Sequence, residues 1–164
     1  MPAATSRLTY RKPEASDVQR LFAIFGDPQT NLFNPNGPMA SLADAQRLLD
    51  HWLEQWATQG YGWWAVARSE QPERIIGFGG VAPLNYLTER RINLGYRFAV
   101  EAWGQGFATQ LGRDALAQAF GPLRLQAARC GQPPTSRSLE WPIVRASGRA
   151  GVGRRPGWPS GRWD

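Results

Sequence analysis

Apolar residues recur along this chain in two rhythms, every second position and every third or fourth, and together they predict its elements. Leu8-Thr-Tyr-Arg11 alternates as a short first strand. Val18, Leu21, Phe22 and Phe25 then recur at helical spacing, with Ser16 placed to cap the helix they define. Gly26-Asp-Pro and Asn34-Pro-Asn-Gly-Pro38 mark loops, since each proline removes a backbone donor. Ser41 with Asp44 resembles a capping box, and Ala45, Leu48, Leu49, Trp52, Leu53 and Trp56 form one apolar helical stripe that stops near Gly60. Trp63–Arg68, Arg74–Val81 and Arg91–Val100 are β-prone runs, the first two joined by a polar connection of hairpin length. They predict an antiparallel meander, crossed by a helix from about Gln105 to Phe120. Gly77-Phe-Gly-Gly80 marks a bulge or a close strand approach, because no helix follows it.

After Gly121-Pro122 the character changes. Leu123-Arg-Leu-Gln-Ala is compatible with a strand, but beyond Cys130 neither rhythm survives and glycine, proline, arginine and serine dominate. The expectation is one domain over residues 1–125, followed by an atypical Arg/Gly/Pro-rich tail, 126–164, of poor order. The charge divides at the same place. Of the net +6, all lies in residues 121–164, where eight arginines face Glu140 and Asp164, while residues 1–120 hold 11 basic and 11 acidic groups. Basicity thus belongs to the tail and says little about what the folded part binds.

No apolar run is long enough to span a bilayer and the first residues lack the apolar centre of a secretory signal, so the expected compartment is the cytoplasm. One cysteine and one histidine exclude an internal disulfide and disfavour a zinc site. His51 falls on the polar side of its helical stripe and reads as an exposed histidine. Cys130 has no identifiable basic partner to activate it.

The chemistry concentrates in Trp103-Gly-Gln-Gly-Phe-Ala-Thr109, which lies between the last long strand and its helix. Glycines there let the backbone approach a ligand, and the unpaired first-turn amides with the helix dipole attract a phosphate or pyrophosphate. The plain alternative is a tight connection without a ligand.

The element order and this turn resemble the GNAT family of acyl-CoA-dependent N-acetyltransferases, in particular its RimJ/RimL-type branch. The resemblance runs over residues 5–125 and rests on Gly95-Tyr96, Glu101-Ala-Trp103-Gly-Gln-Gly106 and Ala108. It implies an α+β fold, a mixed and mainly antiparallel sheet flanked by helices, whose C-terminal strands are here missing or altered. It also implies acetyl-CoA as acyl donor and a primary amine as acceptor, either a protein N-terminus or a small molecule. By resemblance, Phe98, Ala99 and Val100 pair with the pantetheine arm as an added strand. Gly104, Gln105, Gly106, Phe107, Ala108 and Thr109 then surround the pyrophosphate.

Two departures stand out. Where the branch often carries a glutamate base, this chain has Asn93, which leaves Glu89 as a weak candidate for the catalytic base, in competition with a plain solvated charge beside Arg90 and Arg91. The chain also has no tyrosine after Tyr96 to act as the family's acid, and only Ser136-Arg-Ser-Leu-Glu140 resembles the later helix. Eighteen arginines against Lys12 imply a GC-rich coding sequence, so a frame shift near residues 126–132 is one account of the tail; a family-like segment in another reading frame after codon 126 would establish it. The rival readings are a CoA-binding remnant without turnover and a nucleic-acid binder acting through the tail. The second lacks the interleaved aromatic and basic residues of an RNA motif. A dinucleotide-binding domain is set aside because the ribose-binding acid expected about 20 residues on is missing.

Overall fold

The computed structural model describes residues 6–32, 34, 36–86, 89–123, 127–130 and 143–145, with the backbone alone at 84–86, 89–91, 127–130 and 143–145. The strands are β1 (Leu8–Arg11), β2 (Trp64–Arg68), β3 (Gln71–Tyr86), β4 (Glu89–Phe98), β5 (Ala127–Cys130) and β6 (Ile143–Arg145). The helices are α1 (Val18–Phe25), α2 (Leu42–Gln59) and α3 (Phe107–Phe120). The strands form one sheet in chain order; β1 to β4 are antiparallel, β5 runs parallel to β4, and β6 is antiparallel to β5. The fold is the mixed α+β arrangement expected. The two short strands β5 and β6 lie beyond residue 125, where a tail without periodicity was expected. The anticipated poor order from about residue 130 otherwise concerns positions outside the described residues.

Both faces of the sheet are covered, which explains why β2 reads as nearly continuous apolar sequence, with Trp64, Ala65, Val66 and Ala67 all buried. On one face, Leu21, Ile24 and Phe25 of α1 and Ala45, Leu49 and Trp52 of α2 pack against Ala65, Ala67, Ile75 and Phe78. On the other, Phe107, Leu111, Ala115 and Ala119 of α3 meet Val66, Ile76, Leu94 and Phe98. Spacings of four along α3 place those residues on one stripe. Tyr10 Oη donates to Asp114 Oδ2 and ties α3 to β1.

The caps follow local chemistry, with one correction. Ser41 Oγ accepts from Asp44 N–H at 3.2 Å and starts α2, and Gly60 ends it in the left-handed region at φ 75°. Ser16 does not cap α1; it lies inside a 3₁₀ turn, Ala15–Asp17. Asp17 organises that corner, accepting from Glu14 N–H at 2.8 Å and from both terminal nitrogens of Arg11 at 2.7 and 2.8 Å.

β3 is longer than its sequence pattern because the hairpin turn is confined to Ser69-Glu70. The bulge expected at the glycines is present: Val66 faces Gly77 whereas Ala67 faces Ile75. A close approach accompanies it, since a Cβ on Gly79 would stand 2.6 Å from Tyr96 Cβ.

Candidate active site

β4 and β5 share a register only at Asn93 with Arg129 and Leu94 with Cys130. The described part of β5 ends at Cys130, so the register with β4 is described as far as Leu94. Beyond Phe98 the chain leaves the sheet: Ala99 N–H donates to Ile76 O at 2.8 Å, and Val100–Ala102 form a 3₁₀ turn. Several main-chain groups at Phe98–Val100 are already used within the chain. Trp103 Nε1 donates to Phe98 O at 3.1 Å, and the carbonyls of Ala99 and Val100 accept from Ala102 and Trp103. β4 thus runs directly into Phe98–Val100, the segment proposed from sequence. Tyr96, 39 % exposed, and Trp103, 47 % exposed, leave aromatic surface beside it.

The turn that follows is built on two left-handed glycines, Gly104 at φ 69° and Gly106 at φ 75°. Only glycine takes this geometry without strain. Both are exposed, and a Cβ on Gly104 would meet nothing within 4 Å. The first bond of the α3 ladder runs from Gln110 N–H to Gly106 O, so the N–H groups of Phe107 and Ala108 precede it. Gln105 is half-buried, Phe107 is buried, Ala108 half-buried and Thr109 exposed. The turn is open on its outer side and carries the positive end of α3.

Side chains missed by sequence reasoning complete the picture. Arg7 Nη1 donates to Gln105 O at 2.9 Å, and the guanidinium groups of Arg7 and Arg68 lie 5.2 and 5.4 Å from the Phe107 ring centre. Two cations, one just before β1 and one at the end of β2, thus flank a turn whose own residues carry no charge. Nothing local signals this, because Arg7 is 98 positions from Gln105. Glu101, one residue into the 3₁₀ turn, accepts from Arg20 Nη2 at 2.5 Å and lies 3.6 Å from Arg74. The Arg20 hydrogen bond holds the Glu101 carboxyl below the usual carboxylate range. Arg20 Nε also donates to Ile75 O at 2.6 Å, so this cluster pins the turn to α1 and β3.

The base candidate fares differently. Glu89 is registered with Tyr86 at the hairpin tip, and nine residues of extended strand, roughly 30 Å, separate it from Phe98. The strand carries Glu89 away from the glycine turn, and its side chain lies outside the described residues. His51 is exposed, as its place on the stripe predicts. Among the described residues no cluster of His, Cys, Asp or Glu is arranged to hold a metal ion, and no helix is long and apolar enough to cross a membrane.

The acetyltransferase (GNAT) domain matches residues 7–155, which is most of the chain and extends past the limit near 125 drawn from motifs. The chain belongs to the GNAT acetyltransferase family. It is 25 % identical over 123 residues to YoaA, an uncharacterized N-acetyltransferase of Bacillus subtilis (strain 168), covering 74 % of this chain and 67 % of that one. Among solved structures, an acetyltransferase from Agrobacterium tumefaciens superposes with a TM-score of 0.67 at 22 % identity, covering 82 % of this chain and 75 % of that one. A spermidine N-acetyltransferase from Vibrio cholerae, in complex with CoA and spermine, superposes with a TM-score of 0.61 at 20 % identity, covering 77 % and 71 %. Acetyl-CoA is the acyl donor of this family and amines are its acceptors.

Proposed function

We propose that this GNAT enzyme is of RimJ/RimL type and acetylates a primary amine, a protein N-terminus or a small molecule. Gly104, Gln105, Gly106, Phe107, Ala108 and Thr109 hold the pyrophosphate of acetyl-CoA, and the backbone of Phe98, Ala99 and Val100 receives its pantetheine arm. One observation carries the reading: strand β4 leads directly into an open, left-handed glycine turn at the head of a 14-residue helix. The fit is chemical as well as spatial. The turn offers amides and a helix N-terminus, with Arg7 and Arg68 beside it, all suited to an anion.

Acetyl-CoA supplies an acetyl thioester already activated toward attack by a neutral amine. The chain's contribution is placement of both reactants and N–H groups near the carbonyl. The face of β4 turned toward α1 and α2 presents Asn93, Gly95 and Arg97, none of which accepts a proton at neutral pH. No carboxylate relay therefore runs through those three positions.

A thermal-shift titration with acetyl-CoA, run with a free-thiol assay on a panel of amines, tests this. A dose-dependent rise in Tm with amine-dependent CoA release is expected. Absence of any rise at saturating cofactor would refute cofactor binding and the function with it.

A further inference from the structure

Arg97 is a charged side chain held in place, among the described residues, without a counter-ion. It is half-buried, its Nη1 donates to Asn31 Oδ1 at 2.9 Å, and its guanidinium carbon lies 4.5 Å from the centre of the Phe25 ring. Among the described residues no carboxylate stands within ion-pair distance, whereas Arg11 is paired to Asp17 and Arg20 to Glu101. Desolvation by burial lowers its pKa.

The residue that holds it is itself fixed. Asn31 is 5 % exposed, and its Nδ2 donates to Phe25 O and Asp27 O at 2.8 Å each. Asn31 Oδ1 also accepts from Asn34 Nδ2 at 2.8 Å. Asn31 thereby anchors one guanidinium from β4. Removing a charge partly from water without a partner is unfavourable, so an anion from outside completes such a site. Arg97 lies on β4 immediately before Phe98–Val100, and it is on the face opposite Leu94 and Phe98. On the acetyltransferase reading, which this inference presupposes, a guanidinium there faces the acceptor.

We infer that Arg97 is a specificity-determining residue that binds a carboxylate on the acceptor, so the acceptor is a small amine that also carries a carboxylate, such as a free α-amino acid. The planar fork of arginine suits that group, and a bound carboxylate sets the distance from amine to thioester. The same charge opposes a purely cationic acceptor such as a polyamine.

The test compares kcat/KM for free amino acids, the corresponding C-terminal amides and spermidine, using the full chain and acetyl-CoA. The free acids are expected to exceed the amides by about tenfold or more, the range of a charged hydrogen bond. Arg97→Gln brings that ratio to near one, and Arg97→Lys retains part of it, while both keep the Tm rise with acetyl-CoA. A binding arm needs neither cofactor nor turnover: N-acetyl amino acids raise the Tm more than N-acetyl amino amides, and the difference vanishes in Arg97→Gln. Equal use of acids and amides, preference for spermidine, or a ratio unchanged by Arg97→Gln overturns the inference; so does a binding arm blind to the carboxylate. Failure of acetyl-CoA to stabilise the protein refutes the transferase reading separately.

Discussion

Gly106 and Gly60 allow a matched experiment on the glycine turn. Their backbones are nearly identical, φ 75° and ψ 13° against φ 75° and ψ 6°, but one heads α3 and the other ends α2. Neither position is crowded, since the nearest atom to an added Cβ is Arg7 Nη2 at 3.6 Å for Gly106 and nothing lies within 4 Å for Gly60. Alanine at either site thus costs only left-handed strain, about 1–2 kcal/mol. At roughly 2–4 °C per kcal/mol for a chain of this size, both variants should melt about 2–8 °C lower. Their responses to cofactor should differ. Acetyl-CoA at about a hundredfold over its Kd stabilises the wild type by about 2.7 kcal/mol, or roughly 5–11 °C. If strain relieved at Gly106 turns the first amides of α3 away and weakens Kd about a hundredfold, the same concentration contributes about 0.4 kcal/mol, or roughly 1–2 °C. Differential scanning fluorimetry of Gly60→Ala and Gly106→Ala with and without acetyl-CoA reads both quantities. A full ligand-induced rise in Gly106→Ala, equal to that in Gly60→Ala, would refute the assignment of the pyrophosphate to this turn.

Other perturbations probe what holds the turn in place. Glu101→Gln removes the carboxylate shared by Arg20 and Arg74. Because the folded pKa of Glu101 is depressed, its contribution is complete above the ordinary glutamate value and is lost as pH falls through the lower folded value. The Tm gap between wild type and Glu101→Gln should therefore be constant near neutral pH and close below about pH 4, as melting curves across pH would record. Leu111, fully buried on α3, should cost about 2–5 kcal/mol in urea unfolding when changed to alanine, by the cavity left against the sheet. A Cβ at Gly95 would stand 2.5 Å from Trp63 Cζ2, and that indole is packed at a tilt against Trp52 with ring centres 5.1 Å apart, so Gly95→Ala should lose about 1–3 kcal/mol by overpacking in the same assay.

The elements legible from pattern were those whose cause is local. Ser41, Asp44 and Gly60 bound α2 because capping and left-handed termination depend on neighbours a few positions away. The glycine turn was legible for the same reason, since positive φ is a property of single residues. Ser16 misled because Asp17, paired with Arg11, competes for the same corner, and the outcome depends on a side chain six positions upstream.

Amino-acid order alone determined the rhythm of strands and helices, the neutral body with its basic end, and the glycines at which the backbone meets α3. Tertiary structure decided the rest. It brought Arg7 across to Gln105, moved Glu89 out to the hairpin tip, and set Arg97 against Asn31 and Phe25 with no acid in ion-pair reach among the described residues. The physical reason is range. Dihedral preferences and hydrogen bonds within a turn act over a few residues, but the desolvation of a charge and the presence or absence of its partner depend on segments that meet only when the chain has folded.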